Sequence, residues 1–185
     1  MEFTAFINIA MGCAQSLQPE TPRFYAEGSS RSVQHSLVSI DPDSVPKVIY
    51  QDIPIDVYIY DVHDGDTVHF IMKVGGTPVK LALRLIGIDT PEIRTGVNSL
   101  PEEKLAGVIA RNRLASIIKS TDRPLTTIII RDWDKFGGRV LGEIVLPDGR
   151  SVAEILIKEG YGRKYNGEKK ERWTKEDLSA EPFLL

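Results

Sequence analysis

Three short strand-like segments, a long amphipathic helix and two further strand-like segments follow one another between residues 57 and 146, and this order constrains the fold more than any other feature. Segments 57–61 and 67–74 alternate apolar and polar residues on either side of Asp64-Gly65-Asp66, the pattern of two strands joined at an Asp-Gly turn. In the second, Val68, Phe70, Met72 and Val74 share one face while Thr67, His69 and Lys73 share the other. Gly75-Gly76-Thr77-Pro78 turns the chain into a third strand, 79–88, with Leu81, Leu83 and Leu85 on one side. The spacing of Leu105, Val108, Ile109, Leu114, Ile117 and Ile118 predicts a helix over 101–119, with Pro101-Glu102-Glu103 in its first turn. Strands over 125–131 and 139–146 flank a glycine-rich turn, and a short helix over 151–159 stops at Gly160. Three consecutive antiparallel strands and a later pair fit an α+β fold, a five-stranded Greek-key barrel of OB type with two or three helices packed outside. A polar tail follows, helical around 168–178, and 179–185 closes the chain.

Residues 1–46 have a different texture. Pro19, Pro22, Pro42 and Pro46 interrupt them and serine is frequent, so they read as a flexible arm ahead of a domain spanning 47–178. The net charge of −3 lies in this arm, where five acidic residues face Arg23 and Arg31; the rest carries 21 acids and 21 bases. No broad basic footprint is present, so tight non-specific coating of nucleic acid is not expected, while a local cationic cleft is compatible. A single cysteine, Cys13, excludes an internal disulfide framework. Cys/His clusters are not evident, which argues against zinc; His35, His63 and His69 lack ligand spacing and read as structural or surface residues. Any metal is expected to be held by oxygen.

Three motifs sit at strand ends: Asp64-Gly65-Asp66-Thr67, the run from Arg84 to Asp89-Thr90-Pro91-Glu92, and Asp134-Lys135-Phe136-Gly137-Gly138-Arg139. Each alone is an ordinary turn or helix start. Together they supply clustered carboxylates and two arginines, the groups needed to hold a hard divalent cation beside a phosphodiester and to activate water. Strict alternation would put Arg84 and Asp89 on opposite faces, so a bend is required, with Gly87 its expected place.

In strand order and in all three motifs, residues 56–173 resemble the staphylococcal nuclease (thermonuclease) family. The resemblance implies a calcium-dependent endonuclease, a hydrolase that cuts the P–O5′ bond of DNA or RNA. Asp66, Asp89 and the Thr90 carbonyl would be ligands of one Ca²⁺, with Asp64 near the ion. Glu92 would be the general base, and Arg84 and Arg139 would clamp the phosphate. Lys135 would contribute to substrate binding. The chain departs from the family's Tyr-Gly-Arg at Phe136-Gly137-Gly138-Arg139: the extra glycine lengthens the turn that delivers Arg139, and the phenylalanine lacks a hydroxyl that helps hold a terminal phosphate. The alternative function is a non-catalytic nucleic-acid or protein-binding module on the same fold; retention of all five charged site residues favours the enzyme.

Tyr161 and Tyr165, interleaved with Arg163 and Lys164, have two readings, a wall on which a substrate base stacks or a solvated basic tail. Trp133 and Trp173 read as packing residues. Near the start, Met11-Gly12-Cys13 has the form of an acylation site. If Met1 is the start the motif is inert; if translation begins at Met11, acyl chains on Gly12 and Cys13 suffice for peripheral membrane anchoring. The expected partners are single-stranded or unwound DNA and RNA, and the expected state is a monomer, soluble unless that motif is acylated.

Overall fold

A computed structural model describes residues 40–41, 43, 50–94, 96, 100–121, 123–133 and 138–184. The chain divides into two units, Met1–Lys47 and Val48–Leu185, and every element below belongs to the second. Gly12, Cys13 and Lys135 lie outside the described residues.

Among the described residues seven strands form: β1 (Pro54–Val62), β2 (Thr67–Val74), β3 (Thr77–Leu85), β4 (Gly87–Asp89), β5 (Thr126–Trp133), β6 (Arg139–Val145) and β7 (Arg163–Tyr165). Five close into a barrel in the order β1-β2-β3-β6-β5, with β3 and β6 parallel and the other pairs antiparallel. This is the OB-type α+β architecture that the strand order predicts. Alternation dictates its interior: Val57, Val68, Phe70, Leu83, Leu85, Ile128, Ile130, Val140 and Ile144 are all buried, while their neighbours in sequence, the buried Thr67 apart, are at least partly exposed.

The third predicted strand breaks in two. Ile86 leaves the ladder of β3, its N–H donating to Gly142 O at 2.9 Å, and Gly87 adopts a φ of +77°, which side-chain-bearing residues rarely adopt. The bend expected at Gly87 is therefore present. It starts β4, which pairs with β7 in a separate two-stranded sheet, with Asp89 opposite Arg163. The sequence pattern predicts no strand after residue 146, so β7 is a correction. A three-residue strand is too short for alternation to reveal.

Helix α1 (Pro101–Lys119) has the predicted bounds but a different buried face. Glu103, Ala106, Gly107, Ala110, Leu114 and Ile117 are buried, whereas Leu105 is 46% exposed. Small residues line the inner face because the backbone beneath approaches too closely for larger ones. Helix α2 (Val152–Lys158) ends before Gly160, at φ +82°. Helix α3 (Lys175–Leu178) is shorter than the tail helix expected over 168–178 and begins at a capping box of Thr174 and Asp177. Trp173 is buried with Leu178 and Phe183 against Ala106 and Ala110, as a packing residue should be. Trp133 is not: it is 47% exposed at the end of β5. Among the described residues no helix is long and apolar enough to cross a membrane.

Candidate active site

The turn between β1 and β2 is built by its own backbone. The amides of His63 and Asp64 both donate to Thr67 O, at 2.9 and 3.3 Å, and Asp66 N donates to Asp64 Oδ1 at 3.2 Å. Asp66 O accepts from Leu85 N at 2.8 Å, which ties the turn to the end of β3. Gly65 is required there. A Cβ at that position would lie 2.7 Å from Thr90 Oγ1 and 2.8 Å from Ala110 Cβ, so the turn rests directly on the Thr90 segment and α1.

Asp66 is thereby buried, 4% exposed, and forms an ion pair with Arg84, while Thr67 Oγ1 donates to Asp66 Oδ1 at 2.9 Å. Burial raises the Asp66 carboxyl from its ordinary 3.8 to about 6, with Arg84 opposing that rise and Asp64 adding to it. Burial also works to lower the Arg84 pKa, but Asp66, Asp89 and Asp64 outweigh it, and the guanidinium is held above its ordinary value. One arginine thus feels three of the predicted carboxylates.

The raised pKa has a consequence for stability. A carboxyl whose folded pKa exceeds its unfolded pKa favours the fold most below the unfolded value, and the contribution is lost as pH rises through the folded one. For Asp66 that window runs from about 4 to about 6, and a shift of about two units corresponds to ~3 kcal/mol. In chelator, the urea midpoint of the wild type should fall between about pH 4.5 and 7 relative to that of Asp66→Asn. Parallel pH profiles for the two proteins would contradict this.

Asp89, at the end of β4, is only 1% exposed. Arg163 donates to its Oδ2 from Nε at 3.2 Å and from Nη2 at 3.1 Å, and the same guanidinium lies 4.3 Å from the Trp173 ring centroid. Lys170 Nζ approaches Asp89 Oδ1 to 2.8 Å and Glu92 Oε1 to 2.5 Å. Both oxygens of Asp89 thus face cationic nitrogens, Oδ2 those of Arg163 and Oδ1 that of Lys170. Burial works to lower the Lys170 pKa, yet Asp89 and Glu92 together raise it.

The segment carrying Asp89 and Glu92 lies flat on α1. Glu92 N donates to Glu103 Oε1 at 3.4 Å, and a Cβ on Gly107 would come within 2.7 Å of Pro91 O and 2.9 Å of the Glu92 carbonyl carbon. On an open helix Gly→Ala adds up to about 1 kcal/mol of stability. Gly107→Ala is expected to do the opposite, lowering the thermal midpoint and, by shifting Glu92, cutting kcat by up to about a hundredfold. An unchanged kcat would take Gly107 out of the site.

The fold gathers Asp64, Asp66, Arg84, Asp89, Thr90 and Glu92 at one rim of the barrel. Arg139 opens β6 in register with Ala82, and Leu141 pairs with Arg84, so the two arginines stand two register positions apart on the same outer face. Tyr165, opposite Gly87, lines a cavity of about 390 Å³ together with Arg84, Leu85, Gly87, Leu141 and Gly167. Tyr161 lies elsewhere, against the core and edge-on to Phe183 at 6.2 Å. Sequence reasoning missed Lys170, Glu103 and Gly107, and it named Arg163 only as a basic residue between two tyrosines, not as the partner of Asp89. Gly107 left a trace as a glycine within a helical period. His63 and His69 are surface residues of the β1–β2 hairpin, as read from the sequence, and strand pairing rather than sequence spacing brings them beside Asp61.

The domain is therefore a closed mixed barrel that carries, at one rim, buried carboxylates paired with arginine and lysine side chains. Residues 82–181 match the family described as Staphylococcal nuclease homologue, and the chain belongs to that family. The chain is also 31% identical, over 106 residues, to a Bacillus subtilis (strain 168) protein named Endonuclease YhcR, the shared stretch being 56% of this chain and 8% of that protein. The family match begins just before Arg84, so the Asp64–Asp66 turn joins the site through its contacts alone.

Proposed function

We propose that this chain is a Ca²⁺-dependent nuclease that hydrolyses phosphodiester bonds of DNA, RNA or both. The observation that carries this reading is the pair of buried carboxylates, Asp66 and Asp89, both matched to cationic side chains at the rim of the barrel. Buried acids are retained at such a cost where a cation is to be held. The donor set fits: Asp66, Asp89 and the Thr90 carbonyl are hard oxygen ligands, few enough to leave room for waters, with Asp64 close by. When bound, the ion would neutralise phosphate charge and make its water more acidic.

The chain's own groups do the rest. Glu92, 46% exposed, faces solvent and takes a proton from the attacking water. Arg84 and Arg139 grip the phosphate oxygens and stabilise the charge that builds as the P–O5′ bond breaks. Lys135 supports the phosphate, and Tyr165, at the mouth of the Arg84 cavity, offers a face for a base. Tyr161, packed edge-on against Phe183, is given a packing role rather than a substrate contact.

The test uses the full chain with single-stranded DNA and with RNA. Cleavage is expected with Ca²⁺ and is expected to stop on chelation, leaving 3′-phosphate and 5′-hydroxyl ends. Oligonucleotide binding without cleavage in saturating Ca²⁺ would instead make the domain a binding module.

A further inference from the structure

The nuclease reading leaves one group of side chains on the β1–β2 hairpin unused. Asp61, His63 and His69 each present a ligand atom, and these atoms lie within 4.8 Å of one another. Simple alternation would not assemble them. Val57 is buried and Ile59 packs against the core, so an unbroken strand would turn Asp61 inward as well. The register shifts between Ile59 and Asp61, where Tyr60 is the extra residue of a bulge: Asp61 then pairs with His69, and Val62 with Val68. Tyr60 and Asp61 both face out, Val62 returns to the core, and His63 faces out beside Asp61. The bulge is what puts a carboxylate and two imidazoles on one surface.

Their geometry is close to that of a coordination site. His69 Nδ1 lies 2.8 Å from Asp61 Oδ2, and the His63 and His69 ring centroids are 5.3 Å apart. Tyr60 stacks on His69 with centroids 6.0 Å apart and planes inclined by 19°, which restricts rotation of the ligand ring. We propose that Asp61, His63 and His69 form a second metal site, for a borderline transition-series dication such as Zn²⁺, distinct from the carboxylate site at the barrel rim.

Ligand chemistry separates the two. Ca²⁺ takes oxygen donors, whereas imidazole nitrogens favour Zn²⁺, Cu²⁺ or Ni²⁺. Three protein ligands leave at least one position for water. Two ligands each about 2.0–2.1 Å from zinc at the tetrahedral angle are roughly 3.3 Å apart. The Asp61–His69 contact needs to open by about half an ångström, as a dication replaces the hydrogen now bridging the pair. No separation exceeds 4.8 Å, so the widest must close by at most about 1.5 Å, a rotamer-scale movement for the exposed His63. This site does not depend on the nuclease reading, because its three residues are not among those holding the phosphate or Ca²⁺.

Co²⁺, a visible-light probe of zinc sites, tests the proposal on the full chain in saturating Ca²⁺. One equivalent of Co²⁺ is expected to give d–d absorption bands that Zn²⁺ abolishes by displacement. His63→Ala and His69→Ala, checked for native circular dichroism, should each weaken binding at least about tenfold, while Cys13→Ser leaves it unchanged. Asp61→Asn supplies a third variant that keeps side-chain size. The proposal is overturned if no bands form, if Ca²⁺ or Cys13→Ser removes them, or if the histidine variants bind Co²⁺ as the wild type does.

Discussion

Arg84→Ala is expected to lower kcat for nucleic-acid cleavage by about three to five orders of magnitude, the range for an arginine that stabilises a phosphoryl transition state. Two physical effects converge on this residue. Its planar fork can hold two phosphate oxygens while remaining charged at any working pH. It is also the ion-pair partner of Asp66, whose carboxyl is 5% exposed and already raised to about 6 by burial against the pull of Arg84. Alanine leaves that carboxyl without its cation, so Asp66 should take up a proton near neutral pH and the metal-free protein should lose stability. Arg84→Lys separates the effects. Lysine restores a positive charge beside Asp66, and with it most of the thermal midpoint, but not the two-point grip, so activity should stay low. If the lysine variant recovers full activity, Arg84 acts only by pairing with Asp66.

Glu92→Gln should cost about two to four orders of magnitude in kcat, with little change in fold or oligonucleotide affinity. Glutamine keeps the size of the side chain and an acceptor for Lys170, now 2.5 Å from Glu92 Oε1, but cannot accept a proton from water. The backbone contact to Glu103 is untouched by the change. The comparison to make is single-turnover cleavage against binding of a non-hydrolysable oligonucleotide. Equal losses in both would assign Glu92 to binding rather than proton transfer.

Much of the fold was legible because short-range patterns encode it. Period-two alternation marked the strands of the barrel, and period three-to-four spacing marked α1 to the residue. Alternation also exposed the conflict between Arg84 and Asp89 that Gly87 resolves with its positive φ. The errors have physical causes. Leu105 fits the helical period but is exposed, because Gly107 and its small neighbours let α1 lie flat on Pro91 and Glu92. The neighbourhood of His63 and His69 was not legible either, because a bulge at Tyr60, invisible to pattern counting, turns Asp61 onto their face.

The sequence by itself determined the barrel and named the acids and arginines of its rim, since strand periodicity and motif spacing are properties of neighbouring residues. Tertiary structure decided how those charges are balanced. Arg163 and Lys170 reach Asp89 and Glu92 across 74 and 78 residues of chain, through a tail whose local sequence predicts only a polar segment. Nothing in local spacing encodes that contact. It exists because β7 pairs with the strand that the Gly87 bend creates, and because Trp173, packed beneath Arg163, anchors the segment carrying Lys170 over buried carboxylates that need a counter-charge.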